Sequence, residues 1–169
     1  MTDILGKAFA VILLTVGLAV CPALIMAHIQ QSQAQTYVMS KVSGFVDAAR
    51  NGGYIDKDML KVLSDQLSAT GVGYTVKMTH QHKAYQPVYE GDEFQGRTEI
   101  IYKNAYEEDI LNEIYHGSGE YDMRQGDYLS VVVSSRTATM AQRLEGMVAG
   151  SGGAGIRVSY GGRVRDDVY

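Results

Sequence analysis

The chain has 169 residues, room for one ordinary domain, and its 46% apolar and 20% charged residues exclude a mostly disordered polypeptide. With 15 basic and 19 acidic residues the net charge is -4, which argues against a nucleic-acid partner, because such affinity needs a concentrated basic face. The single cysteine, Cys21, excludes an intrachain disulfide and a cysteine-based zinc site.

The N-terminal signal is the strongest in the chain. Residues 8–27 carry no charge, and only Thr15, Gly17 and Pro22 dilute their apolar character. As a helix they are about 30 Å long, the thickness of a bilayer's hydrocarbon core. Retention as a single-pass anchor is the expected fate. Cleavage after a small-x-small site at Ser32-Gln33-Ala34 is an alternative, although a secretory signal usually has a shorter apolar run. Cys21 is preceded by Val20, which does not fit a lipoprotein box, so it reads as a small buried residue. Lys7 precedes the run and the next basic residue is Lys41, which orients the N-terminus toward the cytoplasm and the rest outside.

The helix is expected to continue beyond the apolar run. Residues 28–34 contain no glycine or proline, and Val38, Val42, Phe45, Val46 and Ala49 recur at helical spacing. Asn51-Gly52-Gly53 is a stop signal. One long rod over residues 1–50 follows, membrane-spanning at 8–27 and amphipathic at 36–50, with a kink at Pro22. Two helices broken near residues 30–35 are the alternative.

Residues 54–169 read as an exported α+β domain. Asp56 is a candidate N-cap for a helix to about Thr70, with Met59, Leu60, Leu63 and Leu67 as its stripe. Tyr74, Val76, Met78, His80 and His82 alternate with polar residues as in a strand. Residues 85–96 read as an irregular loop or long hairpin tip, and 98–103 as a short strand. Residues 104–115 are expected to be helical with Ile110, Leu111 and Ile114 inward. Residues 127–134 form the clearest strand pattern. Residues 137–148 suggest a helix with Met140, Leu144, Met147 and Val148 as its stripe, and a glycine run at 150–155 leads to a last strand near 156–160.

Chemistry is hard to find. No nucleophile elbow occurs, and the glycine run lacks the lysine and hydroxyl of a phosphate loop. His80 and His82 share one face of their strand, a spacing that can put two imidazoles on one metal, with His116, Glu90 or Asp92 to complete the set. The pair equally fits a polar strand end. No downstream motif completes a ligand set, so the histidines are expected to be structural or exposed. Replacing His80 and His82 with glutamine is then expected to leave stability nearly unchanged. No catalytic residue, metal or cofactor is assigned.

The long rod through Phe45-Val46-Asp47-Ala48-Ala49-Arg50, the Gly53-Tyr54-Ile55 junction, the Thr70-Gly71-Val72-Gly73-Tyr74-Thr75-Val76 block and the ending Tyr160-Gly161-Gly162-Arg163-Val164-Arg165-Asp166 carry a resemblance. The layout resembles the pilin-like superfamily, and within it the TadE-like single-span membrane proteins of bacterial pilus, secretion and conjugation clusters. Unlike processed pilins, the chain has no glutamate in residues 8–27. The resemblance implies a structural subunit, not an enzyme. It would sit in the cell membrane with its C-terminal domain outside, self-associate through its N-terminal helix and meet other pilus or secretion components. Ala10, Leu14, Gly17, Leu18, Cys21 and Pro22 are the expected helix–helix contacts, since small residues let helices approach closely. The exported domains, acidic overall, are expected to repel one another mildly. The alternatives are an anchored component that never polymerises, and an exported metal-dependent enzyme using His80, His82 and His116.

Overall fold

The computed structural model describes residues 2–90, 93–150 and 155–165. It is α+β: a single long helix, α1 (Thr2–Gly52), followed by a small antiparallel sheet domain. The helix runs unbroken through Pro22 and through residues 30–35, so the two-helix alternative does not hold. It ends where glycine can adopt a left-handed backbone. Gly53 has φ of 76° and its N–H donates to the Ala49 carbonyl at 2.9 Å.

Beyond α1 come β1 (Tyr54–Asp56), α2 (Lys57–Ser68), β2 (Tyr74–Glu90), β3 (Glu93–Tyr106), α3 (Glu107–His116), β4 (Glu120–Asp122), β5 (Tyr128–Ser135), α4 (Met140–Ala149) and β6 (Arg157–Arg163). The main sheet has the order β3-β2-β5-β6, all neighbours antiparallel, and β1 pairs with β4 in a second, two-stranded ribbon. Asp56 caps α2 as its sequence position suggests: its Oδ1 accepts from the Met59 N–H at 2.6 Å.

The amphipathic half of α1 supplies one wall of the core. Val38, Val42, Val46 and Ala49 have no exposed surface. They meet Met78, Leu129, Val131, Val133 and Val158 from one face of the sheet, Leu63 and Leu67 from α2, and Ile110 and Ile114 from α3. The end of α1 is tied to β6 by Arg50, whose Nε donates to the Arg163 carbonyl at 2.8 Å and whose guanidinium meets Asp47 at 2.8 Å.

Three expectations need correction. Of the two readings of residues 85–96, the long hairpin holds and the irregular loop does not: residues 85–90 are strand, because β3 pairs with β2 from Thr79 and Tyr106 out to Glu90 and Glu93, with a register shift between Pro87 and Tyr89. Residues 104–106 are strand rather than helix; they pair with residues 79–81, and α3 begins only where the Asp109 carboxylate accepts from the Tyr106 N–H at 3.0 Å. In α4, Met140 and Met147 are exposed and Ala141 is buried, with Leu144 partly buried. Thr139 caps this helix, its hydroxyl also hydrogen-bonded to Gln31 of α1 at 2.8 Å, and that tie turns the small Ala141 inward. The Val148 side chain and residues 151–154 of the glycine run lie outside the described residues.

Candidate functional site

The first half of α1 is exposed on every side. Twelve large apolar side chains between Ile4 and Ile29 are more than half exposed, among them Leu14 and Leu18. The sheet domain covers only the last part of the run. Ala27 is buried, and α4 lies against α1 there, with His28 Nε2 and a Glu145 carboxylate oxygen 3.0 Å apart. The domain's cover therefore begins at the end of the apolar run, nine residues before the amphipathic segment expected at 36–50. By length and composition α1 is able to cross a membrane.

A shallow apolar groove of about 600 Å³ runs along this bare half. Leu14, Gly17, Leu18, Cys21 and Pro22 all line it, with Ile25 and Ile29 below them. Rows at i, i+4 explain it: Gly17 and Cys21 carry little side chain, while Leu14, Leu18 and Ile25 stand beside them as ridges. Nothing lies within 4 Å of where a Cβ on Gly17 would stand. Cys21, read from sequence as buried, is exposed on the single chain. Ala10 lies on the same helix but outside the groove.

The second feature is polar. His80 sits on the inward face of β2, opposite Leu129, and is 4% exposed. Asp127, just before β5, is 2% exposed. His80 Nε2 lies 2.9 Å from Asp127 Oδ2, and His80 Nδ1 lies 2.8 Å from the Tyr121 hydroxyl. His82 Nδ1 meets the same carboxylate at 2.9 Å, and the Arg124 and Lys83 backbone N–H groups donate to it at 3.0 and 3.3 Å.

Electrostatics fixes who donates. Burial works to raise the Asp127 carboxyl, but the hydrogen bonds from His82, the two amides and His80 outweigh it and hold the group below its ordinary value. Burial lowers His80 despite the nearby carboxylate, which favours neutral imidazole. Burial, and then the carboxylates of Asp109, Asp127 and Glu113, push the Tyr121 phenol up to about 12. An ionised Asp127 only accepts, so His80 donates from Nε2 and accepts at Nδ1 from the Tyr121 O–H.

The alternative metal set of His80, His82 and His116 is not brought together. His116 is exposed at the C-terminal turn of α3 and does not line the 340 Å³ pocket that contains His80, His82, Tyr121 and Asp127. The Glu90 side chain and Asp92 lie outside the described residues. Among the described residues no group of three or more His, Cys, Asp and Glu side chains is arranged to hold a metal ion. Of the two expected readings, structural fits His80, whose ring is buried and whose two ring nitrogens are both engaged, so its replacement is now expected to cost stability. Sequence reading missed Asp127 and Tyr121, which stand 47 and 41 positions from His80. Strand alternation marked only that His80 points inward.

No family model, curated protein or solved structure matches this chain.

Proposed function

We propose that the chain is a pilin-like structural subunit that inserts by the first half of α1 and assembles through that half into a filament or envelope export apparatus. One observation carries this reading: a 51-residue helix is bare and apolar on all sides over its first half and locked into a domain core over its second. Twelve large apolar side chains left more than half exposed forgo about 10–20 kcal/mol of burial. A whole domain is stable by only about 5–15 kcal/mol, so water is not the working environment of this surface. Lipid satisfies it before assembly, and neighbouring helices satisfy it afterward. The groove at Gly17 and Cys21 accepts the ridge of a neighbouring helix, so close packing there supplies the contact.

Gly17→Leu tests the reading. A leucine fills the groove without adding charge, so the variant should still insert but yield no filaments when producing cells are sheared and the material is imaged by electron microscopy. Normal filaments from Gly17→Leu, together with loss of filaments on truncating the sheet domain alone, would make α1 a simple anchor and overturn the mechanism.

A further inference from the structure

The sheet has a second face that the core does not use. Alternate residues of a strand point to opposite sides. Met78, Leu129, Val131, Val133 and Val158 face the helices; the residues between them face outward, and none of the described outward residues is buried. On this outer face stand Tyr85, Tyr102 and Tyr128, which are 65%, 64% and 41% exposed. The same face carries four cations: Lys83 and Arg163 beside the rings, and Lys77 and Arg157 farther along the strands, opposite Val132 and Ser134. No aspartate or glutamate occupies a described outward position of β2, β3, β5 or β6. The net charge of -4 thus hides a segregated distribution. Four of the 15 basic residues share one face, leaving 11 basic against 19 acidic residues elsewhere.

Rings and cations alternate on this face. Lys83 is directly opposite Tyr102, and Arg163 directly opposite Tyr128. The Lys83 Nζ lies 5.1 Å from the Tyr85 ring centroid. The Tyr85 hydroxyl, as the largest influence, raises the Lys83 ammonium; Tyr102 adds to this and Arg163 opposes it, so the four groups share one neighbourhood. A Cβ on Gly161 would stand 3.1 Å from the Tyr128 hydroxyl and 2.7 Å from the Leu129 carbonyl. The glycine therefore leaves room for the Tyr128 side chain to lie across β6.

We propose that this outer sheet face binds single-stranded nucleic acid, with bases stacked on Tyr85, Tyr102 and Tyr128 and phosphates held by Lys83 and Arg163. A nucleotide joins a planar ring to an anion, and here each ring has a cation as its neighbour. A duplex keeps its bases stacked inside and offers the rings nothing. The face does not involve α1, so the inference stands or falls apart from the filament reading.

The test is fluorescence anisotropy of a labelled oligothymidylate of about 15 nucleotides with the full chain in non-ionic detergent micelles, across about 25–200 mM salt. Saturable binding is expected, with affinity falling on a log–log slope of about -1.4, from about 0.7 per contacted phosphate and the two cations Lys83 and Arg163. Tyr102→Ala and Tyr85→Ala should each weaken binding roughly tenfold and leave the slope alone. Lys83→Gln should make the slope shallower by about 0.7. The two tyrosines are exposed and Lys83 is partly so, and circular dichroism checks that each variant folds. Absence of saturable binding at the lowest salt overturns the proposal. So does binding indifferent to both tyrosine variants, which marks a general polyanion surface, or equal affinity for a duplex of the same length. Self-association of the chain that is lost in Lys83→Gln, without oligonucleotide binding, assigns the face to a second copy instead.

Discussion

Removing the Asp127 carboxylate should destabilise the sheet domain more than removing any other side chain of the His80 cluster. In Asp127→Ala four donors lose their acceptor: His80 Nε2, His82 Nδ1 and the backbone N–H groups of Arg124 and Lys83. An unsatisfied buried donor costs about 1–3 kcal/mol. The His82 side chain is 31% exposed and recovers a bond to water, whereas His80 is 5% exposed and does not. The expected loss is about 3–4 kcal/mol after that discount. At about 2–4 °C per kcal/mol for a chain of this size, the melting temperature should fall by about 10 °C. Asp127→Asn should cost about half as much. Its amide oxygen still accepts, and a tautomer change lets His80 accept from the amide and donate to Tyr121. Tyr121→Phe removes only the donor to His80 Nδ1 and should cost about 1 kcal/mol. Near-ultraviolet circular dichroism of the tyrosines, followed on heating at neutral pH in detergent, measures all three. An Asp127→Ala melting temperature within about 2 °C of the wild type, or an Asp127→Asn variant worse than the alanine, would refute this account.

Acid should weaken the fold in two stages. Burial holds His80 below its ordinary 6.5, so the unfolded chain takes up a proton that the folded one refuses; the full contribution is present above pH 6.5 and is lost as pH falls below it. Asp127, held below its ordinary 3.8, keeps its contribution above that pH and loses it on further acidification. Urea midpoints measured from pH 8 to 3 check both stages, and His80→Gln should flatten the first. Gly162→Ala should destabilise by about 1–3 kcal/mol, because the added Cβ overlaps the Arg50 guanidinium that ties α1 to β6; chemical unfolding against wild type reads it. Asp56→Ala should cost about 1 kcal/mol through loss of the α2 cap, and Asp56→Ser should restore most of it in the same assay.

Local patterns determined α1 and α2. The absence of glycine and proline from residues 28–34, the Gly52-Gly53 pair, and the Leu63 and Leu67 stripe behind Asp56 are statements about neighbours in sequence, and α1 and α2 follow them closely. The groove on α1 is legible for the same reason, since Gly17 and Cys21 share a row by helical periodicity alone. Strand limits were less legible. Residues 85–90 contain a proline and little alternation, and they are strand because β3 supplies hydrogen-bond partners across the hairpin. β1 and β4 are three residues each, too short for any period, and exist because each completes the other. Tertiary structure alone decided the polar cluster and the charged face. His80 and Asp127 meet because β5 pairs antiparallel to β2 in a register that sets Leu129 opposite His80, bringing the residues just before β5 beside it. The sum of charges in a sequence carries no direction, whereas a pleated sheet sorts alternate residues onto two sides; that sorting placed Lys77, Lys83, Arg157 and Arg163 together on an acidic protein.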